Sequence, residues 1–195
     1  MAPRISSNCR PVLAFLAAAL VASSSSSQSQ PAQDDFAARL LQAHNSERTS
    51  INSSPLAWDP ALARAAADYA AELAATDKWG HSAPDQRINQ GENLWMGSRG
   101  GFSLEQMISN WASEKSMFRA GIFPHVSTTG NWHDVGHYVQ IVWPGTHRVG
   151  CGRSSSERFD YLVCRYADPG NVMGEVIGHI VKVADSPSRL SSTKL

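Results

Sequence analysis

Apolar residues recur at helical spacing three times along the chain before the pattern turns to alternation. Phe36, Leu40 and His44 share one face with Leu41 beside them, and Asp34 and Asp35 are placed to cap a helix ending near Arg48. Asp59-Pro60 has the form of an N-cap followed by a first-turn proline, and Leu62, Ala66, Tyr69 and Leu73 then make one stripe, predicting a second helix. Ser103 with Gln106 forms a capping box ahead of Leu104, Met107, Ile108, Trp111 and Phe118, which predicts a third. Glu114 falls inside that last stripe. Near the end, residues 149–153 and 159–166 alternate around the polar turn 154–157, the mark of a β-hairpin. Residues 137–143 fit two readings. Val139, Ile141 and Val142 favour a strand, whereas His137 and Ile141 would share a helical face. Helices first and strands later predict an α+β fold rather than a parallel α/β sheet.

The chain's beginning sets the compartment. Arg4 and Arg10 precede an apolar run, residues 12–21, that ends in small residues at Ala22 and Ser23, so residues 1–22 read as a secretory signal peptide. That run is about half the roughly 20 residues needed to cross a bilayer, and no transmembrane segment is expected. Residues 23–33 form a Ser/Gln-rich spacer, residues 34–183 the folded domain and residues 184–195 a polar tail. A domain of this size buries about 70% of its unfolded surface. Seventeen basic residues balance 17 acidic ones, and near-neutrality argues against nucleic acid as a partner. The expected location is extracellular, or periplasmic in a double-membraned bacterium. Cys9 leaves with the leader, so Cys151 and Cys164 are an even pair in an oxidising compartment. Folding the hairpin at its turn sets them opposite one another, which predicts a disulfide.

Four segments carry a family resemblance: His44-Asn45-Ser46-Glu47-Arg48, Gly91-Glu92-Asn93-Leu94-Trp95, Gly136-His137-Tyr138-Val139-Gln140-Ile141-Val142-Trp143, and Cys164-Arg165-Tyr166-Ala167-Asp168-Pro169-Gly170-Asn171. In order and spacing they resemble the signatures of the CAP superfamily, which unites cysteine-rich secretory proteins, antigen 5 and pathogenesis-related protein 1. The resemblance implies a three-layer α-β-α sandwich around a small antiparallel sheet, and favours a helix at His137. It also implies a cleft lined by His81, Glu92, Glu114 and His137, in which the two histidines bind zinc or another divalent metal in some relatives. Sterols and fatty acids are the implied ligands, and catalysis is rarely established in the family. Asp168 departs from the last signature, which more often has proline there. Two mature cysteines are fewer than in the plant and animal branches, which points to the microbial branch. No cysteine-rich module follows, and residues 172–181 lack the proline-tyrosine ending of the plant signalling peptide.

Neutral imidazoles are good zinc ligands, and two of them beside carboxylates leave coordination positions open. The competing role for the same residues is structural, with each ring satisfied by Glu92 or Glu114. A charge on an apolar helical stripe is costly without a partner, so Glu114 points to a site. His44, Asn45 and Arg48 read as a polar patch locking the first helix to its neighbours. His125, His133, His147 and His179 lack a motif partner and read as surface or loop residues. Trp95, Trp111, Trp132 and Trp143 read as core or cleft lining. Phe118, Ile122 and Phe123, just after the third helix, would mark a ligand or membrane contact if exposed. Two functions follow. One is a non-catalytic binder of a sterol or fatty acid, or of an extracellular protein, with a metal in the cleft. The other is a metal-dependent hydrolase in which Glu92 or Glu114 acts as general base. Neither a Gly-x-Ser-x-Gly elbow nor a His-Glu-x-x-His helix is present, so binding is preferred and no catalytic residue is assigned.

Overall fold

The structure is a computed structural model that describes residues 30–178. The segments read as a signal peptide and a polar tail, most of the expected spacer, and His179 lie outside the described residues. Four helices surround a four-stranded sheet: α1 (Gln30–Ser50), β1 (Ala57–Trp58), α2 (Pro60–Thr76), β2 (Gly91–Ser98), α3 (Leu104–Ala112), β3 (Gly121–Ile122), α4 (Gly136–Val142), β4 (Arg148–Ser155), β5 (Phe159–Ala167) and β6 (Val176–Ile177). The sheet order is β1-β4-β5-β2. β4, β5 and β2 are antiparallel, but β1 joins β4 in parallel, so the sheet is mixed rather than wholly antiparallel. β3 and β6 form a separate two-stranded ribbon.

The capping signals hold locally. Asp59 accepts hydrogen bonds from the Ala61 and Leu62 amides at the start of α2, and Ser103 and Gln106 close the reciprocal box on α3. Two boundaries differ from the sequence pattern. α1 begins at Gln30, so Asp34 and Asp35 lie within the helix rather than ahead of it. α3 ends at Ala112, and a 3-10 turn, Ser113–Ser116, carries Glu114 off the apolar stripe. The ambiguous segment is helical, as α4, and Tyr138, Val139, Gln140, Ile141 and Val142 are all buried in it.

One face of the sheet carries α2 alone, and the other carries α1, α3 and α4. α2 lies directly on strand backbone because β4 presents glycine there. A Cβ on Gly150 would sit 2.2 Å from the Ala63 nitrogen, and one on Gly152 would sit 2.3 Å from Ala67 Cα. Ala66, Ala70 and Leu73 close against Leu94, Tyr161 and Val163 on that face. On the opposite face Trp95, Leu162, Cys164 and Tyr166 meet Leu40, Met107, Ile108, Val139 and Ile141. The period-two alternation of β5 thus divides its side chains between two cores. Cys151 and Cys164 are cross-strand partners and form the disulfide.

The predicted polar patch locks α1 in place. Asn45 bridges the amide and carbonyl of Leu56. The buried Arg48 guanidinium donates to the carbonyls of Ser54, Ile141, Trp143 and Thr146, satisfying the C-terminal end of α4. After α3, Phe123 is buried and Phe118 packs edge-on against Tyr138, while Ile122 is exposed beside its strand partner Val176.

Candidate functional site

β2 is an edge strand, so the side chains at its first turn reach both layers of the fold. Glu92 points to the α2 side and Asn93 to the other. Around that end lies an open cleft of about 350 Å³, lined by His81, Glu92, Asn93, His133 and His137 together with Arg87, Gln90, Gln140 and Asn171.

The α2 side supplies the first histidine–glutamate pair. α2 ends at Asp77, whose left-handed backbone turns the chain back toward the sheet, and the Tyr69 hydroxyl donates to the Gly80 carbonyl at 2.6 Å, fixing the next residue. His81 Nδ1 then donates to Glu92 Oε1 at 2.7 Å. Glu92 is fully enclosed, with 0% of its side chain exposed against 54% for His81. Its two oxygens also accept from the Ser82 amide, the Ser82 hydroxyl and Arg165, which lies opposite Glu92 in the β2–β5 register. Burial pushes this carboxyl up, but the hydrogen bond from His81, the charge of Arg165 and the Ser82 donors outweigh it and hold the group below the ordinary carboxylate range.

The second pair comes from the other layer. Glu114, in the turn after α3, accepts from His137 Nδ1 at 2.6 Å and from the backbone amides of His137 and Tyr138. The carboxylate therefore caps the first turn of α4, where unpaired amides and the helix dipole favour negative charge. The His137 ring also lies parallel to buried Trp111, 6.0 Å away, and the Trp111 indole donates to the Leu94 carbonyl. Asn93 donates to the His137 carbonyl and to the Tyr166 hydroxyl. Tyr166 in turn donates to His44 Nε2, because His44 Nδ1 is committed to the Leu40 carbonyl. Burial pushes the His44 imidazole down to about 4.

His81 and His137 thus share a design. Each Nδ1 is a donor to its own carboxylate, which leaves Nε2 unprotonated in the neutral ring and free to bind an ion. The donor set fits a divalent transition metal, although the rings do not gather into a preformed site. Among the described residues the group of three potential donors within 4.8 Å of one another is His44, Cys151 and Cys164. That group cannot serve, since both sulfurs are spent in the disulfide and both His44 nitrogens are hydrogen-bonded. His81, Glu92 and His137 line the cleft, with Glu114 behind His137. Arg165 and His133 were not singled out in the sequence as site residues. Arg165 follows only from the pairing of β2 with β5, which sets it opposite Glu92, and His133 lies four residues before His137.

A second groove, of about 330 Å³, runs between α1 and α3 and is lined by Ala43, Ile108 and Ala112 with Arg39, Glu47 and Glu105. Its lining is mixed in polarity. Arg39 is held across it by a two-pronged pair with Glu105.

Comparison with known proteins places these features in context. Residues 41–166 match the model of the cysteine-rich secretory protein family, CAP. Pathogenesis-related protein 1B of Nicotiana tabacum is 36% identical over 154 residues, covering 78% of this chain and 84% of the tobacco protein. Protein PRY2 of Saccharomyces cerevisiae is 30% identical over 153 residues, covering 77% of this chain and 42% of the yeast protein. Among solved structures, NaASP2 with Zn2+ superposes with a TM-score of 0.64 at 28% identity, covering 74% of this chain and 86% of that one.

Proposed function

This chain belongs to the CAP, or cysteine-rich secretory protein, family, and from that membership we propose that it is a secreted, non-catalytic binding protein whose cleft holds a divalent metal on His81 and His137. The observation that carries the metal reading is the pair of imidazoles, each with Nδ1 tied to its own glutamate and Nε2 left over. The solved relative with Zn2+ supports it. A bound ion would act there as a Lewis acid toward an oxygen-bearing ligand. Secretion rests on the leader-like residues 1–22 and on the similarity to pathogenesis-related proteins; among the described residues no helix is long and apolar enough to cross a membrane.

The hydrolase alternative is weakened by the glutamates themselves. Glu92 receives His81, two donors from Ser82 and Arg165, and Glu114 receives the His137 ring and two backbone amides. A general base needs a lone pair aimed at its proton; the four donors to Glu92 engage all of its acceptor sites, and three donors occupy most of those on Glu114.

Calorimetric titration with zinc at neutral pH tests the metal reading. The parent protein should bind one ion, and His81→Ala and His137→Ala should each lose most of the affinity. A parent that binds none, or a double variant that keeps parental affinity, leaves the His–Glu pairs as structural elements only. A sterol or fatty acid is the accompanying ligand of this reading. Equilibrium binding of labelled palmitate and cholesterol checks this. Absence of saturable binding of either by folded protein would move the function to protein recognition.

A further inference from the structure

Two imidazoles make a weaker metal site than three, and the cleft contains a third. His133 lines the same cleft as His81 and His137, whereas His125 and His147 do not. It belongs to a 3-10 turn, Trp132–Val135, that runs straight into α4 at Gly136. Val135, with φ −133° and ψ 4°, breaks the helical backbone between His133 and His137, so His133 reaches the cleft from the 3-10 turn and not from the helix that carries His137.

The three rings differ in how firmly they are held. His81 and His137 are each fixed through Nδ1 by a glutamate. His133 is exposed, and among the described residues its ring nitrogens have no hydrogen-bond partner. Its ring rests instead on the face of Trp132, with centroids 3.8 Å apart and planes at 27°. Trp132 is itself anchored, edge-on to Phe123 at 5.1 Å and over Gly136, where a Cβ would lie 3.2 Å from the indole. The cleft therefore has two fixed imidazoles, one movable imidazole and a rigid platform on which the movable one is parked.

We propose that His133 is a third ligand for a divalent transition metal in this cleft, rotating off Trp132 to join the Nε2 atoms of His81 and His137. The three rings do not begin within 4.8 Å of one another. Assembly thus requires a side-chain movement, and His133 is the ring free to make it. This inference rests on the metal reading of His81 and His137 given above.

The test is zinc titration by calorimetry of the whole protein and of His133→Ala, His133→Phe, His81→Ala and His137→Ala. Phenylalanine keeps a ring on Trp132 while removing both nitrogens, so any effect of the stack on folding is separated from ligation. Partners that merely orient a ligand are worth about 10–100-fold in affinity, so losing a direct ligand should weaken zinc binding by roughly tenfold or more in both His133 variants. Urea midpoints measured in chelator should stay at the parental value in His133→Phe. In the parent, the ring-nitrogen NMR resonances of His133 should shift and saturate at one equivalent of zinc. If His133→Phe loses less than about tenfold while His81→Ala and His137→Ala abolish binding, the third-ligand assignment is wrong and the two-histidine site stands. If the parent binds no zinc, both fall.

Discussion

Changing Glu92 to glutamine keeps its shape and removes its charge, which isolates the buried ion pair with Arg165. Neither side chain is more than 2% exposed. In the variant, Arg165 retains the Gln86 carbonyl, at 3.3 Å, as its acceptor, and its Nε already lacks a partner. The new amide NH2 would also face donors from Ser82, His81 or Arg165, since all four contacts to Glu92 are donated to it. Leaving one member of a buried pair uncompensated costs about 3–5 kcal/mol. At about 2–4 °C per kcal/mol for a domain of this size, the melting temperature should fall by roughly 6–20 °C.

Urea unfolding of Glu92→Gln, Arg165→Met and the double variant measures the coupling. Replacing a whole buried pair is often close to neutral, so the double variant should be much more stable than the sum of the single losses implies. Additivity within about 0.5 kcal/mol would refute the pairing argument. The effect also has a pH signature. The Glu92 carboxyl is held below its ordinary value of 4.5 in the folded protein. Its stabilisation is therefore complete above that value and is lost as the pH falls through the lower folded value. The gap between parent and Glu92→Gln should narrow only below about pH 4.5.

His44 should produce a different acid slope. Its imidazole is pushed from 6.5 to about 4, so the unfolded chain takes up the proton first, and about 3 kcal/mol of stability should disappear between pH 6.5 and 4; His44→Gln should flatten that slope in pH-dependent urea titrations. Cys151→Ala removes a cross-link spanning 13 residues and should cost about 2–5 kcal/mol, whereas two titratable thiols in the unreduced parent would show the bridge to be absent. Gly152→Ala must force α2 off β4, because the added carbon meets Ala67 backbone at 2.3 Å rather than a movable side chain; a loss of at least about 1–3 kcal/mol is expected in thermal unfolding, and an unchanged melting point would contradict the close packing.

What could be read from the sequence was whatever the chain encodes locally. Asp59-Pro60 and the Ser103–Gln106 box act on their own neighbours, and both work in the structure as their spacing implies. The hairpin and its disulfide were legible for the same reason, although the register that pairs Cys151 with Cys164 is set by a turn at 156–158, one to two residues later than the polar stretch. α4 was ambiguous because it is surrounded. Residues 138–142 are all buried between the sheet and the other helices, so no polar face remains to mark a helical period. The early start of α1 escaped for the opposite reason. Its first turn lies in a polar stretch where no apolar stripe announces a helix.

The site shows where local reading stops. His81, Glu92, Glu114 and His137 were named from matched signatures, but which histidine meets which glutamate is decided by the layers of the fold. Glu92 faces the α2 layer because it shares the pleat of Leu94, which packs against α2, and there it meets the loop that carries His81. Asn93, one residue on, faces the opposite layer and meets the carbonyl of His137. Glu114 leaves the α3 stripe in a 3-10 turn and caps α4, which fixes His137 by backbone and ring together. The cleft thus forms where an edge strand exposes both pleats at once. That geometry lets two independently anchored imidazoles share one opening while Glu92 is saturated by four protein donors and Glu114 is held by three, so the nitrogen lone pairs more than the carboxylates are what the cleft has to offer a ligand.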